Sequence, residues 1–237
     1  MLYNIDPDYC VVTIWLSEER STLVDCLKTI SGRIDGITAK LAKLGIAEED
    51  FYVDFIAQAK IYDYAVDLNA KTGTQHETGL EVKKNLIVKL KDLDYFDQLV
   101  IIASEEKAYN IVKVDYFNED MEGIYDQLFD DCVKIIERKR YSLGKDKLGD
   151  GEVALDNYYH IAPANQYRNY EAFESSSLQY GNYRTDELFV SKEARKATTF
   201  YYNGAAASGF DRVVNMDKVR VGNQFVMELS IMYEKRK

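Results

Sequence analysis

A chain of 237 residues with 46% hydrophobic residues is long enough to bury a core without disulfide or metal support. Its 40 acidic against 30 basic residues give a net charge of −10, which repels phosphate backbones and anionic headgroups and excludes nucleic acid and membrane surfaces as general partners. The cysteines Cys10, Cys26 and Cys132 are too few and too dispersed for a disulfide framework or a closely spaced zinc site, and no apolar run approaches the roughly 20 residues of a membrane span.

The N-terminus lacks the basic, apolar and small-residue succession of an export signal. Cys10 to Leu16 is rich in β-branched and aromatic residues and reads as a strand. From Ser21 to Leu44 the residues Leu23, Leu27, Ile30, Ile34, Ile37, Leu41 and Leu44 recur at alternate spacings of four and three, one stripe of an amphipathic helix with Gly45 as its C-cap. Phe51, Val53, Phe55, Ala57, Ala59 and Ile61 then alternate with polar residues as a half-buried strand. A polar connector is expected from Asp67 to Gly79, followed by a second alternating strand over Leu80 to Leu90, so that the two form a long antiparallel hairpin.

Asp92 or Asp94 caps a short helix with Phe96, Leu99, Val100 and Ala103 facing inward, and Ile111 to Phe117 returns as a strand. The resulting β-α-β-β-α-β order is that of a ferredoxin-like unit over 9–118, an antiparallel sheet with helices on one face. A third helix over Glu119 to Tyr141 buries Ile124, Leu128, Cys132 and Ile135/Ile136; its acids lie near its start and its bases near its end, which complements the macrodipole rather than marking a metal site. A short strand from Val153 to Ile161, a tyrosine-rich excursion from Ala164 to Leu188 and a last strand over Val219 to Ile231 complete a single α+β domain over 1–237, with 119–237 as its second part.

Several of these segments resemble the SIMPL (DUF541) family. The resemblance rests on Asp6-Pro7-Asp8 before the first strand, Leu44-Gly45-Ile46 at the exit of the first helix, Gly79-Leu80 in place of the family's Gly-Tyr, the run Asn85 to Leu93, and the strand Asn110 to Phe117. It covers most of Asp6 to Gly149 and resumes over Val219 to Tyr233. The bulky Phe129, Cys132, Ile135 and Ile136 depart from the family's alanine-rich third helix, and its usual first strand and export signal do not precede Met1. The resemblance implies a bacterial periplasmic or cell-envelope location and no known reaction.

Motifs that carry chemistry are lacking. His76 in the connector and His160 in the strand before Pro163 stand in no metal-ligand spacing. Gly144 to Gly151 lacks both the Lys-Ser/Thr ending of a phosphate loop and the alternating acids of a calcium loop, and Gly204 to Gly209 has no dinucleotide fingerprint around it. No catalytic residue, metal or cofactor is expected. Tyr167, Tyr170, Tyr180 and Tyr183 in the excursion form an interaction surface or else cover their own sheet. The expected function is that of a non-enzymatic, self-associating or protein-binding module, the alternative being a small-ligand binder or enzyme with a pocket near the tyrosine-rich segment.

Overall fold

The computed structural model of the chain describes residues 1–67, 72–143, 158–163, 167–173, 196–202, 204–217 and 223–231. These form two compact units. The larger contains Cys10–Asp115 and Asn169–Tyr201; the other combines Met1–Tyr9, Tyr116–Arg168 and Tyr202–Lys237.

The larger unit carries the expected β-α-β-β-α-β succession. It runs β2 (Tyr9–Arg20), α1 (Leu23–Lys43), β3 (Phe51–Asp67), β4 (Thr72–Leu90), α2 (Phe96–Glu105) and β5 (Asn110–Phe117), with β1 (Leu2–Ile5) preceding it in the chain. Thr22 caps α1 by accepting from the Asp25 amide, and Gly45 ends it at a φ of +88° that only glycine adopts without strain. The stripe turns Ile30, Ile34, Ile37 and Leu41 into the core, with Cys26 beside them. α1 packs on β4, and the alternate residues of β4 and its antiparallel neighbour β2 are buried in turn: Val82, Leu86 and Val88, and Val12, Ile14 and Leu16. Leu99 and Ala103 of α2 are buried as well, and α2 packs against α1.

The six strands of this sheet stand in the order β3-β4-β2-β5-β8-β7, where β7 is Tyr167–Phe173 and β8 is Lys196–Tyr202. Phe51 to Asp67 pairs antiparallel with Thr72 to Val88, as the hairpin reading requires. Two corrections apply. Thr72 to Gly79 is not a connector but the first half of β4, because its backbone continues the ladder with β3. The excursion from Ala164 contains β7 at the far edge of the sheet, a strand that its tyrosines and polar residues conceal in the sequence.

The second unit holds α3 (Met121–Ser142) and a four-stranded sheet ordered β6-β10-β1-β9, with β6 Tyr158–Pro163, β9 Val213–Val214 and β10 Asn223–Ser230. Ile124, Leu128 and Cys132 of α3 pack on Phe225 and Met227 of β10, with Tyr3 and Ile5 of β1 against the same cluster. Asp120 caps α3 by accepting from the Gly123 amide, so one of the acids sorted to the helix start has a defined structural task. The run Gly144 to Gly151 lies outside the described residues.

Candidate interaction surface

In the larger unit β3 is the outermost strand, and among the described residues nothing pairs with its outer edge. Its first half is apolar and open: Tyr52 is 62% exposed, Phe55 53% and Ile56 46%. An apolar edge strand with unpaired backbone groups is a template for another strand. The sequence period suggests one continuous face from Phe51 to Ile61, but the register shifts between Phe55 and Ala57. Phe51, Val53 and Phe55 stand opposite Val88, Leu86 and Lys84, whereas after the shift it is Gln58 and Lys60 that stand opposite Val82 and Leu80. Ile56 is the extra residue of a β-bulge, which moves Ala57, Ala59 and Ile61 to the other face.

Beyond this, β2 ends at Arg20 opposite Leu80, so Thr72 to Gly79 pair with β3 alone among the described residues. The hairpin therefore leaves the sheet as a two-stranded ribbon, an element of marginal stability by itself in water. Gly79 sits where it departs: a Cβ there would stand 2.9 Å from the Arg20 carbonyl oxygen. On the ribbon the Lys60 ammonium lies 2.7 Å from Glu77, a hydrogen bond that raises the lysine pKa. His76 belongs to this ribbon, opposite Asp63, rather than to a connector.

The remaining groups are structural in character. All three cysteines are buried, and burial pushes the Cys10 thiol up to about 11, the reverse of what a nucleophile needs. The Arg33 guanidinium donates to the carbonyls of Ser17, Glu106 and Lys107 and to the Glu18 carboxylate, all at 2.8–2.9 Å, and so ties α1, β2 and the turn after α2 together. In the second unit a cleft of about 420 Å³ opens between α3, β10 and the turn at Gly209–Asp211. Cys132 on its wall is held protonated by burial, and Asp211 is held ionised by its hydrogen bond to Lys139. Among the described residues no three His, Cys, Asp or Glu side chains gather as a metal-binding group, and no helix is long and apolar enough to cross a membrane.

Tyr167 and Tyr170 lie in β7, at the edge opposite β3. Tyr180 and Tyr183 lie outside the described residues, as does the stretch 174–188. The place of β3 at the edge is not written in its sequence, because its alternation reads as an ordinary half-buried strand.

One of the segments that carry the family resemblance proves to be a junction. Asp8 accepts from the Glu119 amide at 2.8 Å, its own amide donates to the Phe117 carbonyl, the Asp6 carbonyl accepts from Asn118, and Tyr9 stacks on Phe117 with ring centroids 5.1 Å apart. Asp6-Pro7-Asp8 thus clasps the turn between β5 and α3. Residues 3–139 match the family model described as SIMPL, protein of unknown function (DUF541). The chain belongs to the SIMPL family. The match spans both helices of the larger unit and nearly all of α3, and it ends before the stretch from Val219 to Tyr233, over which the resemblance was expected to resume. No curated protein matches this SIMPL chain.

Proposed function

We propose that this SIMPL protein is a non-enzymatic assembly module that associates with copies of itself through the outer edge of β3. The observation that carries the reading is the apolar, unpaired edge at Tyr52, Phe55 and Ile56, on a strand that continues into a ribbon with no other strand beside it among the described residues. Pairing such an edge removes apolar area from water and satisfies main-chain donors and acceptors together, so it needs no dedicated pocket. The module acts by contact rather than turnover. Its placement in the bacterial cell envelope rests on the family resemblance alone.

Sedimentation velocity over a hundredfold concentration range tests this. Wild-type protein is expected to shift to larger species as concentration rises, and Phe55→Lys to stay monomeric while keeping its far-ultraviolet dichroism. A wild-type protein that stays strictly monomeric would sink the proposal. Thermal stabilisation by a member of a metabolite panel, with no change in mass, would favour the ligand-binding reading instead.

A further inference from the structure

Given the self-association proposed above, on which this step rests, we infer that two copies pair antiparallel over Phe51 to Phe55 alone, about a two-fold axis at Val53, so that Val53 meets Val53 and Phe51 of each copy meets Phe55 of the other. The first reason is the extent of the usable edge. β3 begins at Phe51, directly after a short 3-10 helix over Glu48–Asp50, and its register shifts at the Ile56 bulge. Before the bulge Phe51, Val53 and Phe55 share the face of Leu86 and Val88; after it Gln58 and Lys60 take that face. Residues directly opposite in an antiparallel pair lie on the same face, and at its two-fold a residue opposes its own copy. A symmetric ladder that kept its faces through the bulge would have to centre between two neighbouring residues there, where the backbone is irregular. The stretch Phe51 to Phe55 remains, with Val53 at its centre. Ala57 to Lys60 beyond the bulge offer two alanines, a glutamine and a lysine, and far less to bury.

The second reason is the order of residues within that stretch. Phe51, Val53 and Phe55 read the same from either end, so a two-fold at Val53 sets ring against ring on both flanks and valine against valine between them. All three lie on one face, opposite Val88, Leu86 and Lys84 of β4. Val53 is 39% exposed and Phe55 53%, so the pairing takes out of water apolar area that the single chain leaves in it. A second copy supplies the matching order necessarily. This self-complementarity makes the copy, rather than a foreign strand, the partner.

The third reason is charge. Between Phe51 and Phe55 the charged residue is Asp54. With the axis at Val53 it stands opposite Tyr52 of the other copy, a neutral phenol. Moving the axis one residue on, to Asp54, sets two carboxylates directly opposite each other, an added repulsion between chains that already carry −10. Moving it one residue back, to Tyr52, pairs Phe51 with Val53 and leaves Phe55 facing the 3-10 helix, outside the ladder. Of these three registers the one at Val53 covers both phenylalanines and opposes no like charges.

Disulfide trapping tests the register separately from self-association. The α-carbons of antiparallel partners stand about 4.5–5.5 Å apart, within the roughly 4.4–6.8 Å that a disulfide spans. Val53→Cys therefore faces its own copy at bonding distance. Phe51→Cys and Phe55→Cys face each other instead, and each lies about 14 Å from its own copy, far beyond that span. The native Cys10, Cys26 and Cys132 are buried and stay silent. Each variant is oxidised in a glutathione redox buffer, at a concentration where sedimentation shows it associated and circular dichroism shows it folded; Phe51→Cys and Phe55→Cys are also mixed in equal amounts. Val53→Cys and the mixture are expected to form covalent dimers at least about tenfold faster than Phe51→Cys or Phe55→Cys alone. If wild type associates but the phenylalanine variants trap singly as fast as Val53→Cys, or the mixture gains nothing over them, the register is overturned and self-association stands. A monomeric wild type overturns both. Should the phenylalanine variants fail to fold or associate, Val53→Cys is compared with Ala59→Cys beyond the bulge: the same advantage of about tenfold is expected for Val53→Cys, and equal or faster trapping at Ala59 overturns the register.

Discussion

At the scale of single residues the structure converts an apolar stripe into energies. Ile34 is 5% exposed on a helix that packs on β4, so Ile34→Ala should cost about 2–5 kcal/mol in denaturant titration, as cavity-forming changes do. Arg33 differs in kind, because its loss takes a donor from three carbonyls and leaves the Glu18 carboxylate with Arg20 as its remaining cation. With its side chain 14% exposed, Arg33→Met should cost about 3 kcal/mol, and Arg33→Lys should recover little, since one ammonium cannot span a planar fork of four acceptors. Cys10 adds a dependence on pH. Burial raises its folded-state value to about 11 from an ordinary 9.0, so the unfolded thiol ionises first. Stability is then full below pH 9 and falls between pH 9 and 11, by up to about 3 kcal/mol for a shift of this size. The difference between wild type and Cys10→Ala across that window isolates this contribution from the other groups that titrate there.

Among the elements, those specified by packing were legible and those specified by backbone pairing were not. The core stripe of α1, the inward residues of α3 and the hairpin of β3 and β4 follow from periodicity, because a buried face needs apolar residues at the period of its element. The bulge at Ile56 escaped, since Phe55, Ala57 and Ala59 keep alternating in sequence while their partners on β4 skip a step. Thr72 to Gly79 escaped because a ribbon without a core needs no apolar face, and β1, β8 and β9 escaped because strands of two to seven residues carry too little pattern. The motif Gly79-Leu80 was recognised by its letters, but its reason, the carbonyl of Arg20 at Cβ distance, appears only in three dimensions. The difference between sheet and ribbon has a measurable consequence. Leu80 to Val88 of β4 is paired on both sides, by β2 and β3, while Thr72 to Gly79 is paired on one. Amides of the first stretch should exchange with deuterium far more slowly than those of the second, and equal protection in the monomer would mean that the ribbon is supported by something other than β3.

For the whole molecule the deciding quantity is the charge of −10, which acts against the very association proposed for it. The two effects differ in range. Repulsion between two acidic copies is spread over their surfaces and works across tens of ångströms, whereas the contacts of the apolar residues and main-chain groups of β3 work only when strands touch. Screening separates them, because the Debye length falls from about 30 Å at 0.01 M salt to about 8 Å at 0.15 M. Raising salt across that interval should therefore remove most of the long-range repulsion and leave apolar burial and main-chain hydrogen bonds nearly intact. Self-association should tighten, opposite in sign to the salt dependence of a protein that binds a phosphate backbone. Sedimentation at a fixed protein concentration in the two buffers reads the result directly. Weakening with salt would mean that close charge pairs dominate over apolar contact; an association indifferent to salt would point to an interface remote from the acidic surface altogether.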